Sequence, residues 1–296
     1  MSDTTAGLRQ KIDRAGDLQS VVRTMKALAA SNIGQYEKSV RALADYNRTV
    51  ELGLGACFRE IELVATSVQR KGRAQQRAIG AVVFGSDQGL VGQFNDVVAD
   101  LAIQTLAALP GKPQVWAVGE RVHARLANAG VPPAGLFSVP NSAQAIAPIV
   151  GRILVQGTTC RGQDEGAELH HFYNRPTPGA GYAPVSQRLL PLDETWRRDL
   201  AQRPWPTATM PEVLGGGTAT LRALIGEYLF ISLFQACAES LASENASRLA
   251  AMERADKNID ELLETLHGTF HRLRQSGIDE ELCDVISGYE SAAGQS

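Results

Sequence analysis

Residues 7–30 read GLRQKIDRAGDLQSVVRTMKALAA, and the spacing of their apolar side chains decides the fold. These side chains recur three or four positions apart, at Leu8, Ile12, Ala15, Leu18, Val22, Met25 and Ala29. Alternating steps of three and four residues are typical of a coiled-coil seam. The spacing continues to Val68, which predicts one long N-terminal helix packed against a partner helix, with Gly53 and Gly55 as a possible kink.

The positions of the 13 prolines show where long helices are allowed. Pro110 is the first and Pro211 the last, so both outer segments of the chain lack proline. Proline inside a helix costs roughly 3 kcal/mol, so both ends are free to be helical. The apolar spacing recurs from Leu221 to Leu273 and includes Leu262. We therefore predict an N-terminal coiled-coil helix over 1–77, an α/β domain over 78–211 and a C-terminal coiled-coil helix over 212–296.

The charges of the two ends are opposite. Residues 1–77 carry 13 Lys and Arg against 8 Asp and Glu, whereas residues 212–296 carry 6 against 14. Opposite charge favours packing the two helices against each other as an antiparallel coiled coil. Sixty helical residues extend roughly 90 Å, which exceeds the diameter of a compact globule of this length. The sequence therefore predicts an elongated molecule with an inserted domain.

The middle segment alternates between strand and helix patterns. Strands are predicted at 78–84, 114–118, 168–174 and 185–192, and helices at 95–108, 119–128 and 143–155, the last broken at Pro148. The apolar run at 78–84 is typical of a buried parallel strand. This alternation predicts a Rossmann-like α/β domain.

The glycine-rich turn at 85–92, GSDQGLVG, follows a strand and precedes a helix, the position at which phosphates bind in dinucleotide-binding folds. It lacks both the G-x-G-x-x-G spacing and the Lys of a phosphate loop. A structural turn is therefore favoured over a cofactor site, and no cofactor is predicted. A nucleotide-dependent oxidoreductase remains the alternative function for this domain.

Other candidate sites are weaker. Glu264, His267 and His271 share helical spacing, but a metalloprotease helix needs Glu directly after the first His, and Gly268 stands there. A helix surface is favoured over a metal site. The four cysteines match no zinc or redox spacing. The apolar run at 228–238 is too short for a membrane span, and the charge balance does not favour nucleic acid.

Motifs in sequence order resemble one family, the gamma subunits of F-type ATP synthases. Residues 25–31, MKALAAS, are similar to the family's AM-x-MVAA-x-K helix, and residues 86–95, SDQGLVGQFN, to SDRGLCGGFN. Residues 171–174 and 189–192 are similar to its YN and LLPL strands, and residues 239–245, ESLASEN, to ESLASEH. Arg274, Gln275 and Glu281 match RQ-x-x-IT-x-E. The resemblance spans nearly the whole chain.

Because it departs from the family pattern at several positions, the chain resembles a divergent bacterial member. The basic KITKAM stretch has fewer charges here, at residues 20–25, and Asp279 replaces the family's Thr. With these departures the chain resembles the gamma subunit of an alternative, N-type ATPase, which is proposed to move sodium. The sequence leaves open whether the coupling ion is the proton or sodium.

The resemblance implies a non-catalytic central rotor shaft that couples ion translocation to ATP synthesis or hydrolysis on the alpha and beta subunits. It implies contacts with this head by Arg23, Met25, Lys26, Arg274, Gln275 and Glu281. The epsilon subunit and the membrane c-ring are the other implied partners, at the cytoplasmic side of a bacterial inner membrane. A coiled-coil adaptor without a rotary role remains the second alternative.

Overall fold

The computed structural model describes residues 4–64, 78–161, 167–179, 181–209, 211–213 and 217–293. In chain order the elements are α1 (Thr5–Val64), β1 (Ile79–Phe84), α2 (Phe94–Ala107), β2 (Gln114–Val118), α3 (Glu120–Asn128), β3 (Gly135–Phe137), a 3₁₀ turn (Ala143–Ala145), α4 (Ile146–Arg161), β4 (Glu168–Thr177), β5 (Gly181–Leu190), α5 (Glu194–Gln202) and α6 (Gly217–Ala293). The two longest elements are therefore the terminal helices that the proline pattern predicts.

The chain divides into two compact units. The smaller unit joins residues 1–28 to residues 249–296, and the larger unit holds residues 29–248. Both long helices contribute to both units. The three-part division drawn from the sequence uses other boundaries and stays a prediction.

Helices α1 and α6 are antiparallel. In the larger unit, Tyr46 Oη donates to Glu227 Oε2 at 2.7 Å, and Asn32 lies opposite Asn245. As the number rises along α1, the number of the contacted residue falls along α6. The structure confirms the predicted pair of long terminal helices with an α/β sheet inserted between them in the sequence.

Helix α1 is continuous through Gly53 and Gly55. A Cβ atom at Gly55 would lie 2.5 Å from the carbonyl oxygen of Leu200, near the end of α5. Gly55 therefore permits the backbone of α5 to approach α1, a different role from the kink that the sequence suggested.

The sheet has the strand order β3-β2-β1-β4-β5. All neighbours are parallel except β5, which pairs antiparallel to β4. Alternate residues of β1 point to opposite faces. Val82 and Phe84 join a core with α4 and α6, whereas Ala81 and Val83 join a core with α2 and α3. The sheet is therefore covered on both faces, as the apolar strand β1 predicts.

Several predicted bounds were wrong. Strand β3 was missed because three residues carry no periodicity, and α5 was missed because it is largely polar. The helix predicted as broken at Pro148 instead begins at Ile146 after a 3₁₀ turn and continues to Arg161. Pro148 lies in its first turn, where backbone N–H groups have no intrahelical partner, so the proline is tolerated there. The apolar stripe predicted to reach Val68 ends outside the described residues.

Helix α6 contains, within the described residues, the one stretch long and apolar enough to cross a membrane by length and composition alone. Leu229, Leu233 and Ala236 in its apolar part are buried in the core against the sheet. Burial of these side chains within the protein makes the stretch weak evidence of a membrane span.

Candidate partner interface of the paired helices

The seam of the smaller unit follows a seven-residue step. Leu8, Ala15 and Val22 on α1 are buried, and Ala15 and Val22 pack with Met252 and Ile259 of α6. Leu18, which the sequence pattern placed in the seam, is 54% exposed, and Leu262 on α6 is 49% exposed. These two predictions were wrong: Gln19 is buried in place of Leu18, and Leu263 packs on the seam in place of Leu262.

Gln19 belongs to a polar group that we call the Asp256 cluster: Gln19, Arg23, Lys26, Asp256 and Asp260. Gln19 Nε2 donates to Asp256 Oδ1 at 3.2 Å and also to Asp260. Arg23 Nε donates to the same Asp256 oxygen at 3.2 Å, and Lys26 Nζ lies 3.8 Å from Asp256 Oδ2. The predicted attraction between a basic N-terminal and an acidic C-terminal helix is confirmed here.

The sequence reasoning did not single out Asp256 and Asp260. The available signal was the heptad register: Gln19 and Lys26 are seven residues apart, at positions that coiled coils usually reserve for apolar side chains. Polar residues at such positions require polar partners on the facing helix. An acidic pair four residues apart on α6 supplies them.

Part of this cluster is available to a partner. The Arg23 side chain is 59% exposed and that of Lys26 is 38% exposed. Exposed ion pairs contribute only about 0–1 kcal/mol each, so the cluster does little to hold the helices together. It fixes the direction of the Arg23 and Lys26 side chains, while Met25 between them packs against the seam.

Arg274, Gln275 and Glu281 lie on α6 and are exposed. Within the part of the chain that the structure describes, they make no hydrogen bond or ion pair. Arg274 is 18 residues beyond Asp256, or roughly 27 Å along a helix. The structure therefore does not bring the two groups of predicted contact residues together, but places them at two levels of the smaller unit.

An apolar stripe accompanies the second group. Ile278, Leu282, Val285 and Ile286 are each about half exposed or more. Their spacing of four, three and one places them on one face of α6. A continuous exposed apolar face is typical of a surface that a partner covers.

The glycine-rich turn of the larger unit is closed by its own side chains. Asn95 Oδ1 accepts from the Ser86 backbone N–H at 2.9 Å, and Asn95 Nδ2 donates to Ser86 Oγ at 2.8 Å. Asp87 accepts backbone N–H bonds from Glu120 and Val139. A Cβ atom at Gly119, whose φ is +116°, would lie 2.8 Å from the Ser86 backbone, which explains this glycine. These contacts favour the structural interpretation of the turn.

The residues weighed as metal ligands lie on the smaller unit. His267 and His271 are exposed, and the His271 ring packs edge-on against Phe270. Among the described residues, no group of three or more His, Cys, Asp or Glu side chains is placed to hold a metal ion. Cys57 and Cys237 are buried free thiols and Cys283 is an exposed one. The side chain of Cys160 lies outside the described residues.

His171 and Glu244 are buried titratable groups of the larger unit. Burial lowers the pKa of His171 to about 4, and its Nε2 lies 3.2 Å from Gln187 Oε1. Burial raises the pKa of Glu244, opposed by Arg248, whose Nη2 donates to Glu244 Oε1 at 2.7 Å. Both shifts follow from the low polarity of the interior and disfavour the charged form of each group.

Comparison with known proteins identifies the family. The model of the ATP synthase family matches residues 4–292. The ATP synthase gamma chain of Clavibacter michiganensis is 28% identical over 294 residues, with 96% of each chain covered. That of Nitrosomonas eutropha is 24% identical, covering 95% of this chain and 97% of the relative.

Solved structures share the fold. A chain of the mitochondrial ATP synthase of Euglena gracilis, in an assembly of OSCP, F1 and c-ring, has a TM-score of 0.64 at 18% identity and covers 99% of this chain and 96% of its own. A chain of the Tetrahymena thermophila central stalk and c-ring assembly has a TM-score of 0.56 at 19% identity, covering 79% and 99%. The full-length match and the antiparallel helix pair agree. The chain belongs to the ATP synthase gamma-chain family, the non-catalytic central rotor stalks of F-type ATP synthases.

Proposed function

We propose that this chain is the rotor shaft of a bacterial F-type ATP synthase, turning inside a ring of alternating alpha and beta subunits. The observation that carries the proposal is the antiparallel helix pair of the smaller unit, within a match to the family over residues 4–292. The chain supplies no catalytic group of its own in this mechanism. Its unequal faces bias each catalytic site of the head among open, loose and tight states as it turns.

Two levels of the smaller unit contact the head in this proposal. At the first, Arg23 and Met25 lie near a beta-subunit lever, and Lys26 contacts the head beside them. Asp256 orients the Arg23 and Lys26 side chains, but both side chains remain partly exposed and can donate further hydrogen bonds to a partner. At the second, Arg274 and Gln275 bond beta-subunit loops, and Glu281 lies beyond them on α6. An arginine suits the second level because its planar fork binds a carboxylate with two hydrogen bonds.

We propose two further partners, and the bacterial origin of the relatives supports a bacterial complex. The α/β sheet unit rests on the epsilon subunit and on the ion-carrying c-ring. The proposed location of the chain is therefore the cytoplasmic side of the inner membrane, attached through the complex. The ion is set by the membrane ring, and the divergent residues 20–25 and Asp279 support an N-type complex that moves sodium.

Purification of the complex tests the shaft. A tag on an alpha or beta chain should recover one copy of this chain with three alpha and three beta chains. A coiled-coil adaptor would instead be recovered alone as a symmetric dimer, and that result would contradict the proposal. Sodium-independent ATP hydrolysis by the purified complex would exclude the sodium assignment without affecting the shaft.

Substitution at the second level tests the assigned contacts. Arg274→Ala and Gln275→Ala should each lower ATP turnover of the assembled head about ten-fold or more, since a hydrogen bond to a charged group contributes about 1.5–3 kcal/mol. Arg272→Ala is the matched control, because Arg272 is also exposed but bonds its own helix at the Gly268 carbonyl. The assigned contact would be contradicted if turnover were unchanged in both variants, or if the Arg272→Ala control lowered it equally.

A further inference from the structure

Three residues of α6 within the larger unit form a row of polar contacts. Glu239, Ser243 and Ser247 are four residues apart, so they lie on one face of the helix. Glu239 Oε2 accepts from Arg175 Nε at 3.1 Å. Ser243 Oγ donates to the Asn174 carbonyl at 3.0 Å, and Ser247 Oγ donates to the Val91 carbonyl at 2.6 Å. We call Glu239, Ser243 and Ser247 the α6 ladder.

Asn174 extends the ladder into the α/β elements. It is fully buried, and its Nδ2 donates to the Phe94 carbonyl at 2.8 Å. Phe94 is the first residue of α2, and Val91 lies in the turn just before it. Through these bonds one face of α6 is fixed to β4, to the start of α2 and to the glycine-rich turn.

The ladder differs in kind from the apolar contact beside it. Leu233, Ala236 and Leu241 of α6 pack in the core against the sheet. Apolar contact resists separation but is non-directional, so it allows small slides and rotations. A hydrogen bond weakens steeply when its angle or length changes, so three bonds along about 12 Å of helix resist both.

We propose that the α6 ladder is the torsional joint of this subunit, which transmits rotation between helix α6 and the α/β elements of the larger unit. Ser243 and Ser247 act as positioning residues, and Asn174 as their buried counterpart. The inference rests on the proposed rotor function. A shaft that turns under load must not twist at the place where its helix meets its domain, and the ladder lies at that place.

A rotation measurement tests the joint. The chain is assembled with alpha and beta subunits, and the head is fixed to a surface. A bead is bound to a biotin-acceptor peptide inserted after Lys112, in an exposed loop of the α/β elements. The variance of the bead angle during each catalytic pause reports the torsional compliance between the helices and the bead.

Ser243→Ala with Ser247→Ala should raise this variance at least about two-fold, since two of the directional bonds are lost. Ser240→Ala is the matched control. Ser240 lies on the same helix and is 2% exposed, but its hydroxyl has no hydrogen-bond partner among the described residues. Its removal should leave the variance unchanged.

Unchanged variance in the double variant would overturn the joint, and so would an equal increase in Ser240→Ala, which would assign the effect to packing. If the double variant does not assemble, Ser247→Ala alone is used, because its bond is only partly buried; it should raise the variance, and no increase overturns the joint. Failure of the unsubstituted chain to assemble or rotate is a different result and overturns the proposed rotor function itself.

Discussion

The two compact units of this chain differ in how much core they contain. Among the described residues, the larger unit has three apolar clusters, which include the fully buried Phe84, Leu233 and Ile231. The described part of the smaller unit has one cluster of four buried residues, of which Met252 and Ile259 belong to α6. Since buried apolar area supplies most of the stability of a fold, the larger unit carries most of it. Most side chains of the smaller unit are exposed to solvent instead.

The units also treat polar groups differently. In the larger unit Asn174, Ser243 and His171 are almost fully buried. In the smaller unit Arg23, Asp260 and Arg274 are exposed, although Gln19 and Asp256 of the Asp256 cluster are mostly buried. A buried hydrogen bond fixes geometry, whereas an exposed donor is free to bond another molecule. We therefore expect the larger unit to be the more rigid one, and the proposed partner contacts belong to the smaller unit.

The largest expected effect comes from truncating one isoleucine of α6 in each unit, Ile231 in the larger and Ile259 in the smaller. Ile231→Ala should lower the free energy of unfolding by about 4 kcal/mol and Ile259→Ala by about 2 kcal/mol, within the range for such substitutions. Ile231 is 1% exposed among Val50, Leu54 and Phe58, whereas Ile259 is 7% exposed in the small cluster.

Denaturant unfolding can separate these two effects. Trp116, Trp196 and Trp205 all lie in the larger unit, so tryptophan fluorescence follows that unit while circular dichroism follows both. Ile231→Ala should shift the fluorescence transition, and Ile259→Ala should shift mainly the dichroism. Equal losses from the two substitutions would show that the units are equally dependent on their cores.

The next effect is a pH dependence confined to the larger unit. His171 has a pKa of about 4 in the folded protein, because burial disfavours the imidazolium. An unfolded imidazole titrates near pH 6.5, so between pH 6.5 and 4 the unfolded state binds a proton that the folded state does not. The contribution of His171 to stability is therefore complete above pH 6.5. It should fall by roughly 3 kcal/mol as the pH is lowered through that window.

A variant separates the contribution of His171 to stability from that of the carboxylates that titrate in the same pH range. His171→Gln places an amide donor near the position of Nε2, so it keeps a donor for Gln187 but cannot ionise. Unfolding free energies are measured by urea titration at several pH values from 7 to 4.5. The loss on acidification should be smaller in the variant, and identical curves would mean that His171 is hydrated in the folded state.

The sequence was sufficient to predict the elements that have a long or continuous apolar pattern. The proline-free ends, the charge split and the apolar spacing predicted α1, α6 and their antiparallel pairing, and the run at 78–84 predicted β1. It was insufficient where one side chain depends on the facing helix. Leu18 and Gln19 are neighbours, and only the partner residue Asp256 decides that the polar one of the two is buried. The α6 ladder was missed for the same reason, since its bonds join residues far apart in the chain.

A smaller effect is expected from the Asp256 cluster. Asp256→Asn should cost about 1 kcal/mol at low salt and less at high salt, because partly exposed ion pairs are weak and screened. Asp260→Asn is the matched control, since its side chain is 61% exposed while that of Asp256 is 17% exposed. Thermal unfolding followed by circular dichroism at two salt concentrations measures both. A cost independent of salt would indicate packing rather than charge.

The smallest expected effect bears most directly on function. Arg274→Ala should change the free energy of unfolding by less than about 0.5 kcal/mol, as is usual for surface positions. Arg274 is exposed and makes no hydrogen bond or ion pair within the described part of the chain. A loss of ATP turnover in the assembled head would then originate in a contact with a partner, because the subunit itself is equally stable. A large loss of stability in the isolated chain would instead place Arg274 among the residues that hold the smaller unit together, and the division between a rigid unit and a recognition unit would have to be redrawn at that residue.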